Sequence, residues 1–329
     1  MVRSHNLSAI LLYTSLLFYS HSPLAAAYGE QEKETAPPQW STHYFGRFKI
    51  DLPTESEIAS DYKLYNEKIE LISKNAASEL PSIINKKTDE LKKGMAYGTS
   101  SKYEKTVALN DGSVLILSKL GNFYTFHAYL LTSKNTLYRM LVQSISAKGI
   151  DGAINKTRLI SESVYFRHPQ DAPPREAFAL EEGYTTLSAH QSLESIDMGA
   201  QISKHPGTFV SLLTQRIAER DDSLIKRFEN GDWRGFASGK NEVLHRSKIL
   251  RKRARMIDGL EAEEIAIVTL ADGKRFYTFQ IEYEGLLKSN TTPFVELRLG
   301  THEIGSDFKS DEEALAFWDR MADSLKRMP

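Results

Sequence analysis

The chain is 329 residues long, 41% hydrophobic and 26% charged, enough for about two ordinary domains with cores of their own and too apolar for a disordered or fibrous protein. Lys and Arg number 42 against 43 Asp and Glu, so no overall charge favours nucleic acid or an anionic membrane surface. The lack of cysteine excludes disulfides, thiolate nucleophiles, Cys-based zinc sites and a lipid-modified N-terminal cysteine.

Residues 1–27 read as an export signal peptide: Arg3 precedes the apolar run Ala9 to Tyr19, followed by Pro23 and the small triplet Ala25-Ala26-Ala27. The run falls short of the roughly 20 residues that span a bilayer. Cleavage after Ala27 is therefore expected rather than a permanent membrane anchor. An exported chain without cysteine suits the bacterial periplasm. Residues 28–39 are polar, charged and proline-containing, a flexible leader with nothing to bury.

From Trp40 the pattern becomes that of folded protein. FGRFKIDLP (Phe45 to Pro53) alternates as a half-buried strand does. After a polar stretch, a helix is expected from about Pro81, with Leu80, Ile84 and Leu91 on one face and Gly94 at its end. KTVALNDGSVLILSKL then reads as a hairpin turning at Asn110-Asp111-Gly112. The strands FYTFHAYLL (Phe123 to Leu131) and TLYRMLVQS follow, and a weaker helical pattern runs from Asp151 to Ser163.

The segment HPQDAPPR, residues 168–175, holds three prolines in eight residues and stops any helix or central strand. It is expected to link an N-terminal domain, 40–167, to a C-terminal domain, 176–329. The second part repeats the order of the first. AFALEEGYTTL opens it, and Pro206 precedes a helical pattern carrying Phe209, Leu213, Ile217, Leu224 and Phe228 on one side. A strand run then turns at Asp258-Gly259 and Asp272-Gly273 and includes FYTFQIEY (Phe276 to Tyr283), a cousin of FYTFHAYLL. PFVELRLGT follows. The closing helix SDEEALAFWDRMADSLKRM pairs Ser310 with Glu313 as a capping box and lines up Leu315, Trp318, Ala322 and Leu325. The expected fold class is α+β: two similar domains, each an antiparallel sheet packed with helices, descended from an internal duplication.

The chain has no G-x-S-x-G, H-E-x-x-H, G-x-x-x-x-G-K-[ST] or G-x-G-x-x-G motif, so no catalytic, metal or cofactor residue is proposed. Asp221-Asp222 and Asp311-Glu312-Glu313 read as solvated partners of helix dipoles. His127, in mid-strand, reads as a core or cross-strand histidine. The basic run HRSKILRKRARM (His245 to Met256) reads as an exposed edge strand, with a phosphate-binding stripe as its rival. In NGDWRGFASGK, three glycines surround Trp233, Arg234 and Phe236, which either face outward as a partner-binding anchor or plug the core.

The blocks GRFKIDLP, RKRARMIDGLEAEEIAI, FYTFQIEYEG, PFVELRLGT and DEEALAFWDRMADSLK resemble the two-domain immunity proteins that neutralise type VI secretion lipase effectors, those paired with class-4 phospholipases. The resemblance implies a non-enzymatic periplasmic inhibitor without cofactor. Its partner would be a cognate phospholipase effector, gripped between two domains so that the active site is obstructed. Two other classes stay open on the residues alone. One is an exported hydrolase with a non-standard site, built on His127 and carboxylates. The other is an envelope scaffold that binds carbohydrate or lipid through exposed aromatics.

Overall fold

Short-range alternation closes the first half of the chain into hairpins. In the computed structural model, which describes residues 39–94, 101–109, 111–190, 192–232 and 247–328, these are β1 (Trp40–Phe45) with β2 (Phe48–Pro53) and β3 (Glu57–Leu64) with β4 (Glu67–Ser73). Helix α1 (Ala76–Lys92) follows, then β5 (Lys102–Ala108), β6 (Val114–Leu120), β7 (Phe123–Leu131), β8 (Leu137–Ser146), α2 (Ile150–Ser163) and β9 (Val164–Phe166). The second half repeats the succession. It has β10 (Phe178–Leu180), β11 (Gly183–Thr185), β12 (Ser195–Gln201), β13 (Thr208–Gln215), α3 (Leu224–Glu229), β14 (Ser247–Ile257), β15 (Leu260–Ala271), β16 (Lys274–Tyr283), β17 (Phe294–Thr301), α4 (Asp311–Ser324) and β18 (Lys326–Arg327). The signal and leader expectations for 1–27 and most of 28–39 lie outside the described residues.

Among the described residues, one twelve-stranded sheet runs in the order β14-β15-β16-β17-β13-β12-β3-β4-β8-β7-β6-β5. The order reads alike from both ends: each strand of the first half has its counterpart at the mirror position, with β7 opposite β16. The centre is the antiparallel ladder β3–β12, from Lys63 opposite Ser195 to Glu57 opposite Gln201. Two small sheets, β1-β2-β18 and β10-β11-β9, lie outside it. In each, the last strand of one half pairs with a hairpin of the other: β9 with β11, and β18 with β2. Residues 38–329 form one compact unit, and 168–175 connects β9 to β10 within it.

The two hairpins meet where the backbones of Gly46 and Ala179 exchange hydrogen bonds of 3.1 and 2.7 Å. Gly46 has φ +57°, and a Cβ there would lie 3.0 Å from the Phe178 ring and 3.1 Å from Ile196. Both the left-handed backbone and the close approach require glycine.

Two local expectations change. Helix α1 begins at Ala76, with the Asn75 carbonyl accepting from the Ser78 and Glu79 N–H groups and no side-chain cap, and carries Pro81 inside it. The pyrrolidine removes one hydrogen bond near the start, and burial of Ala76 and Leu91 against β6 and β7 anchors the turn before it. The stretch after Pro206 is a strand, not a helix: Thr208, Val210, Leu212 and Thr214 are buried at alternate positions, and β13 pairs with both β12 and β17. Phe209 and Leu213 sit on its other face. Spacings of i and i+4 satisfy both a period of 3.6 and a period of 2, and central ladder bonds on both sides decide for the strand. Helical structure is confined to α3, with Leu224 and Phe228 buried.

The closing helix forms as its sequence signals. Ser310 Oγ accepts from the Glu313 N–H, while the Glu313 carboxylate reaches back to the Lys309 N–H. The inner sheet face packs on α2, α4 and the first small sheet around Phe126, Phe279, Leu297 and Trp318.

Candidate partner-binding face

The sheet has an inner face that holds the main core and an outer face with less cover. At one end α1 lies on the outer face, with Leu91 and Ala76 against Ile116, Tyr129 and Leu137. At the other end α3 lies on it, with Leu224 and Phe228 against Ile265 and Ile267. Among the described residues no other helix packs there. The strands between the two helices, β8, β4, β3, β12, β13 and β17, present that face to the surroundings.

Register fixes what the face displays. Residues directly opposite on neighbouring strands share a face. Glu263 is opposite Glu282, Glu282 opposite Glu296, Glu296 opposite Leu213, Leu213 opposite Asp197, and Asp197 opposite Asp61. A row of carboxylates, broken once by leucine, therefore crosses six strands. One register step away lie Gln280, Arg298, Ser211, Gly199 and Ala59, again directly opposite in sequence. A Cβ added to Gly199 would meet nothing within 4 Å, so the middle of the face is open space.

The row is partly neutralised. Arg227 of α3 grips Glu282 with two bonds, 2.7 and 2.8 Å, and thereby holds the helix to the sheet. Glu263 accepts from the Ile225 N–H at 2.7 Å, Lys68 lies 2.7 Å from Asp61, and Arg298 lies 3.0 Å from Glu296. The Gln280 amide nitrogen donates to both Glu282 and Glu296. Burial, opposed by Arg298 and reinforced by the Glu282 carboxylate, holds the Glu296 carboxyl up at about 7. Burial and the facing Asp61 likewise raise Asp197, with Lys63 opposing.

The Glu296 carboxyl keeps its proton well above its ordinary 4.5, so the folded chain binds a proton that the unfolded chain releases. The resulting penalty is absent below about pH 4.5, grows as pH rises to about 7 and is complete above it. Glu296→Gln should remove that slope and stabilise the protein at pH 8 by on the order of 2 kcal/mol relative to pH 4.5. Urea unfolding of both proteins across this range checks it; parallel pH profiles would contradict it.

His127 accepts or donates to Ser118 Oγ at 3.0 Å, and burial, with Lys87 and Arg139 nearby, holds its imidazole down at about 4. Ser118 is fully buried, so this pair is a cross-strand contact between β6 and β7, not an accessible nucleophile and base. His245 and Arg246 lie outside the described residues; from Ser247 the basic run is the edge strand β14, and its arginines are paired internally. Arg251 grips Asp319 at 2.5 and 2.7 Å, Arg253 meets Glu264 at 2.6 Å, and Arg255 reaches Glu264, Asp319 and Asp323. That is an edge strand riveted to β15 and α4, not a phosphate-binding stripe. Asp311 does more than cap a dipole, since it accepts from the Tyr277 hydroxyl at 3.0 Å. Trp233, Arg234 and Phe236 lie outside the described residues. The carboxylate row had no signal in the sequence, because its five carboxylates come from five separate strands. Among the described residues no three His, Asp or Glu side chains converge as a metal site.

Residues 171–329 match the family described as the Tle cognate immunity protein 4 C-terminal domain. No curated protein matches the chain. Among solved structures, the fold is similar to the apo immunity protein TplEi of the type VI secretion system of Pseudomonas aeruginosa, at 25% identity and TM-score 0.78, covering 88% of this chain and 97% of that one. The same immunity protein complexed with an "L" peptide matches with TM-score 0.76, at 25% identity over 88% of this chain and 98% of that one. The crystal structure of the Tle4-Tli4 complex contributes a chain matched at 25% identity and TM-score 0.77, covering 88% of this chain and 98% of that one. Residues 171–329 thus match the C-terminal domain of the Tle cognate immunity protein 4 family, and the fold across most of the chain is similar to that of solved immunity proteins of the type VI secretion system.

Proposed function

We propose that this chain is a periplasmic immunity protein that binds a cognate type VI secretion phospholipase effector and blocks it sterically, protecting the producing cell's membranes. The observation that carries the reading is the family match over 171–329, supported by the likeness in fold to a solved effector–immunity complex. The chain acts by binding and performs no catalysis itself, which fits the buried, neutral setting of the Ser118–His127 pair. Export rests on the signal-like residues 1–27.

The two parts, 40–167 and 176–329 joined through 168–175, descend in this reading from one duplicated unit. The palindromic strand order and the reciprocal exchange of β9 and β18 support it. Trp233, Arg234 and Phe236 enter as proposed contacts on composition alone.

The test is to co-purify the chain from Tyr28 with the phospholipase encoded beside it and titrate lipid hydrolysis. A stable complex, with activity abolished near one-to-one, is expected. No complex, or hydrolysis by this chain alone, would overturn the reading.

A further inference from the structure

The corner of the sheet where α1 ends carries the opposite charge to the carboxylate row. The last residue of α1 is Lys92, and its Nζ lies 5.3 Å from the centre of the Tyr103 ring on β5. Beside Tyr103, Lys102 stands directly opposite Lys119 of β6, whose Nζ lies 5.3 Å from the centre of the Tyr124 ring on β7. Like charges directly opposite on neighbouring strands destabilise a sheet. Lys148 follows two residues after Ser146, which is opposite Phe123. None of these four lysines forms an ion pair with a described residue, although Asp89, Glu104 and Asp151 lie close to them in the chain. Residues 95–100, between α1 and β5, contain no charged side chain.

An apolar pair stands at the same corner. Strands β6 and β7 join through the two-residue turn Gly121-Asn122, with Gly121 at φ +59°. Glycine in first place suits so tight a hairpin. A Cβ added to Gly121 would meet nothing within 4 Å, so the tip stands clear of the fold. Leu120 and Phe123 lie opposite each other across it, 44% and 55% exposed. By strand alternation Leu120 shares a face with Ile116, which packs against α1, so the pair projects on the side where Lys92 ends the helix. The hairpin itself does not demand this exposure. In the cousin block FYTFQIEY the matching Phe276 lies two residues inside β16, opposite Thr269, and is half-buried.

We propose that this corner, Leu120 and Phe123 ringed by Lys92, Lys102, Lys119 and Lys148, is a peripheral contact for the surface of an anionic phospholipid bilayer. Lysines alone would fit any polyanion. An apolar pair standing clear at a tip among them selects a bilayer, whose interface offers phosphate and hydrocarbon within one side-chain length. Phe123 and Leu120 enter the headgroup region while the lysines meet lipid phosphates, each strengthening binding about fivefold. The near-neutral balance of the whole chain conceals the patch, because its lysines are brought together by α1, β5, β6 and the end of β8. The contact goes beyond the immunity reading and does not rest on it: it concentrates the chain at a lipid surface, reversibly and without a spanning segment.

The experiment is flotation of the chain from Tyr28 with vesicles of equimolar phosphatidylglycerol and phosphatidylethanolamine, and with phosphatidylcholine vesicles for comparison. The proteins are wild type, Phe123→Ser, the double variant Lys102→Glu with Lys119→Glu, and a control of equal charge change, Lys134→Glu with Lys204→Glu. The control lysines are exposed in the β7–β8 and β12–β13 turns, at the other end of the strands. None of the substituted side chains makes a hydrogen bond or ion pair with a described residue, so thermal melts of all four should coincide. Wild type is expected to float with the anionic vesicles alone and to be released as NaCl rises from about 50 to about 500 mM. Phe123→Ser should weaken binding about 10-fold and the Lys102 and Lys119 double variant about 30-fold, while the control stays within about threefold. Wild type that floats with neither vesicle, or binding indifferent to Phe123→Ser or to the Lys102 and Lys119 double variant, overturns the proposal. A phospholipase complex weakened by Phe123→Ser in the absence of vesicle binding would make the corner a protein contact and overturn it equally.

Discussion

Trp318→Ala is expected to lower the unfolding free energy by roughly 4 kcal/mol. The indole is fully buried on α4, packed edge-on to Phe279 with ring centres 5.8 Å apart. Truncation leaves a cavity between helix and sheet that close packing cannot refill. It also removes the indole N–H that donates at 2.7 Å to Glu264, a fully buried carboxylate. Glu264 retains Arg251, Arg253 and Arg255, so its charge stays compensated, and the packing term dominates. Trp318→Phe separates the two contributions. It keeps most of the volume and loses the donor, and should cost about 1–2 kcal/mol. Urea unfolding of both variants decides the matter: equal losses would mean that the hydrogen bond, not the packing, secures α4.

Arg47→Ala should cost about 3–5 kcal/mol, because it strands a buried carboxylate. Arg47, in the turn between β1 and β2, grips Glu194 just before β12 with two bonds of 2.6 and 2.7 Å. The Arg47 guanidinium also donates to the Glu176 carbonyl at 2.6 Å. Both side chains are nearly excluded from solvent, and the pair ties the first half of the chain to the second. The double variant Arg47→Ala with Glu194→Ala should recover part of the loss, since it removes the unpaired charge along with its partner. Arg47→Lys should rescue poorly, because an ammonium cannot make both carboxylate bonds and the carbonyl bond at once. A double variant no more stable than Arg47→Ala would show that the pair's worth lies in packing rather than charge.

These two residues differ in how legible they were. Trp318 stood in an amphipathic stripe behind a Ser310 cap, and periodicity alone placed it in the core. Arg47 gave no sign, since its partner lies 147 positions along the chain. The same division separates the successes and failures elsewhere. Strand β7 matches FYTFHAYLL end to end, and the Asp258-Gly259 and Asp272-Gly273 turns join β14 to β15 and β15 to β16. Strand β3 was passed over as polar, because one of its faces carries Glu57, Asp61 and Lys63 into the surroundings. Strand β13 looked helical until its two neighbours claimed its backbone.

What the sequence determined by itself was local and periodic: the hairpin turns, the long aromatic strands, the capped closing helix, the repeated order of elements and the resemblance to an immunity family. Each follows from neighbours within a few residues, where dihedral preference and side-chain period act directly. Tertiary structure alone decided how the two halves join. Pairing of β3 with β12 fuses them into one sheet, and the exchange of β9 and β18 binds each half with a strand of the other. It also decided the candidate site. Carboxylates scattered from Asp61 to Glu296 become a row only when register sets six strands side by side, because backbone hydrogen bonds between distant segments, not any local preference, choose which residues stand opposite one another.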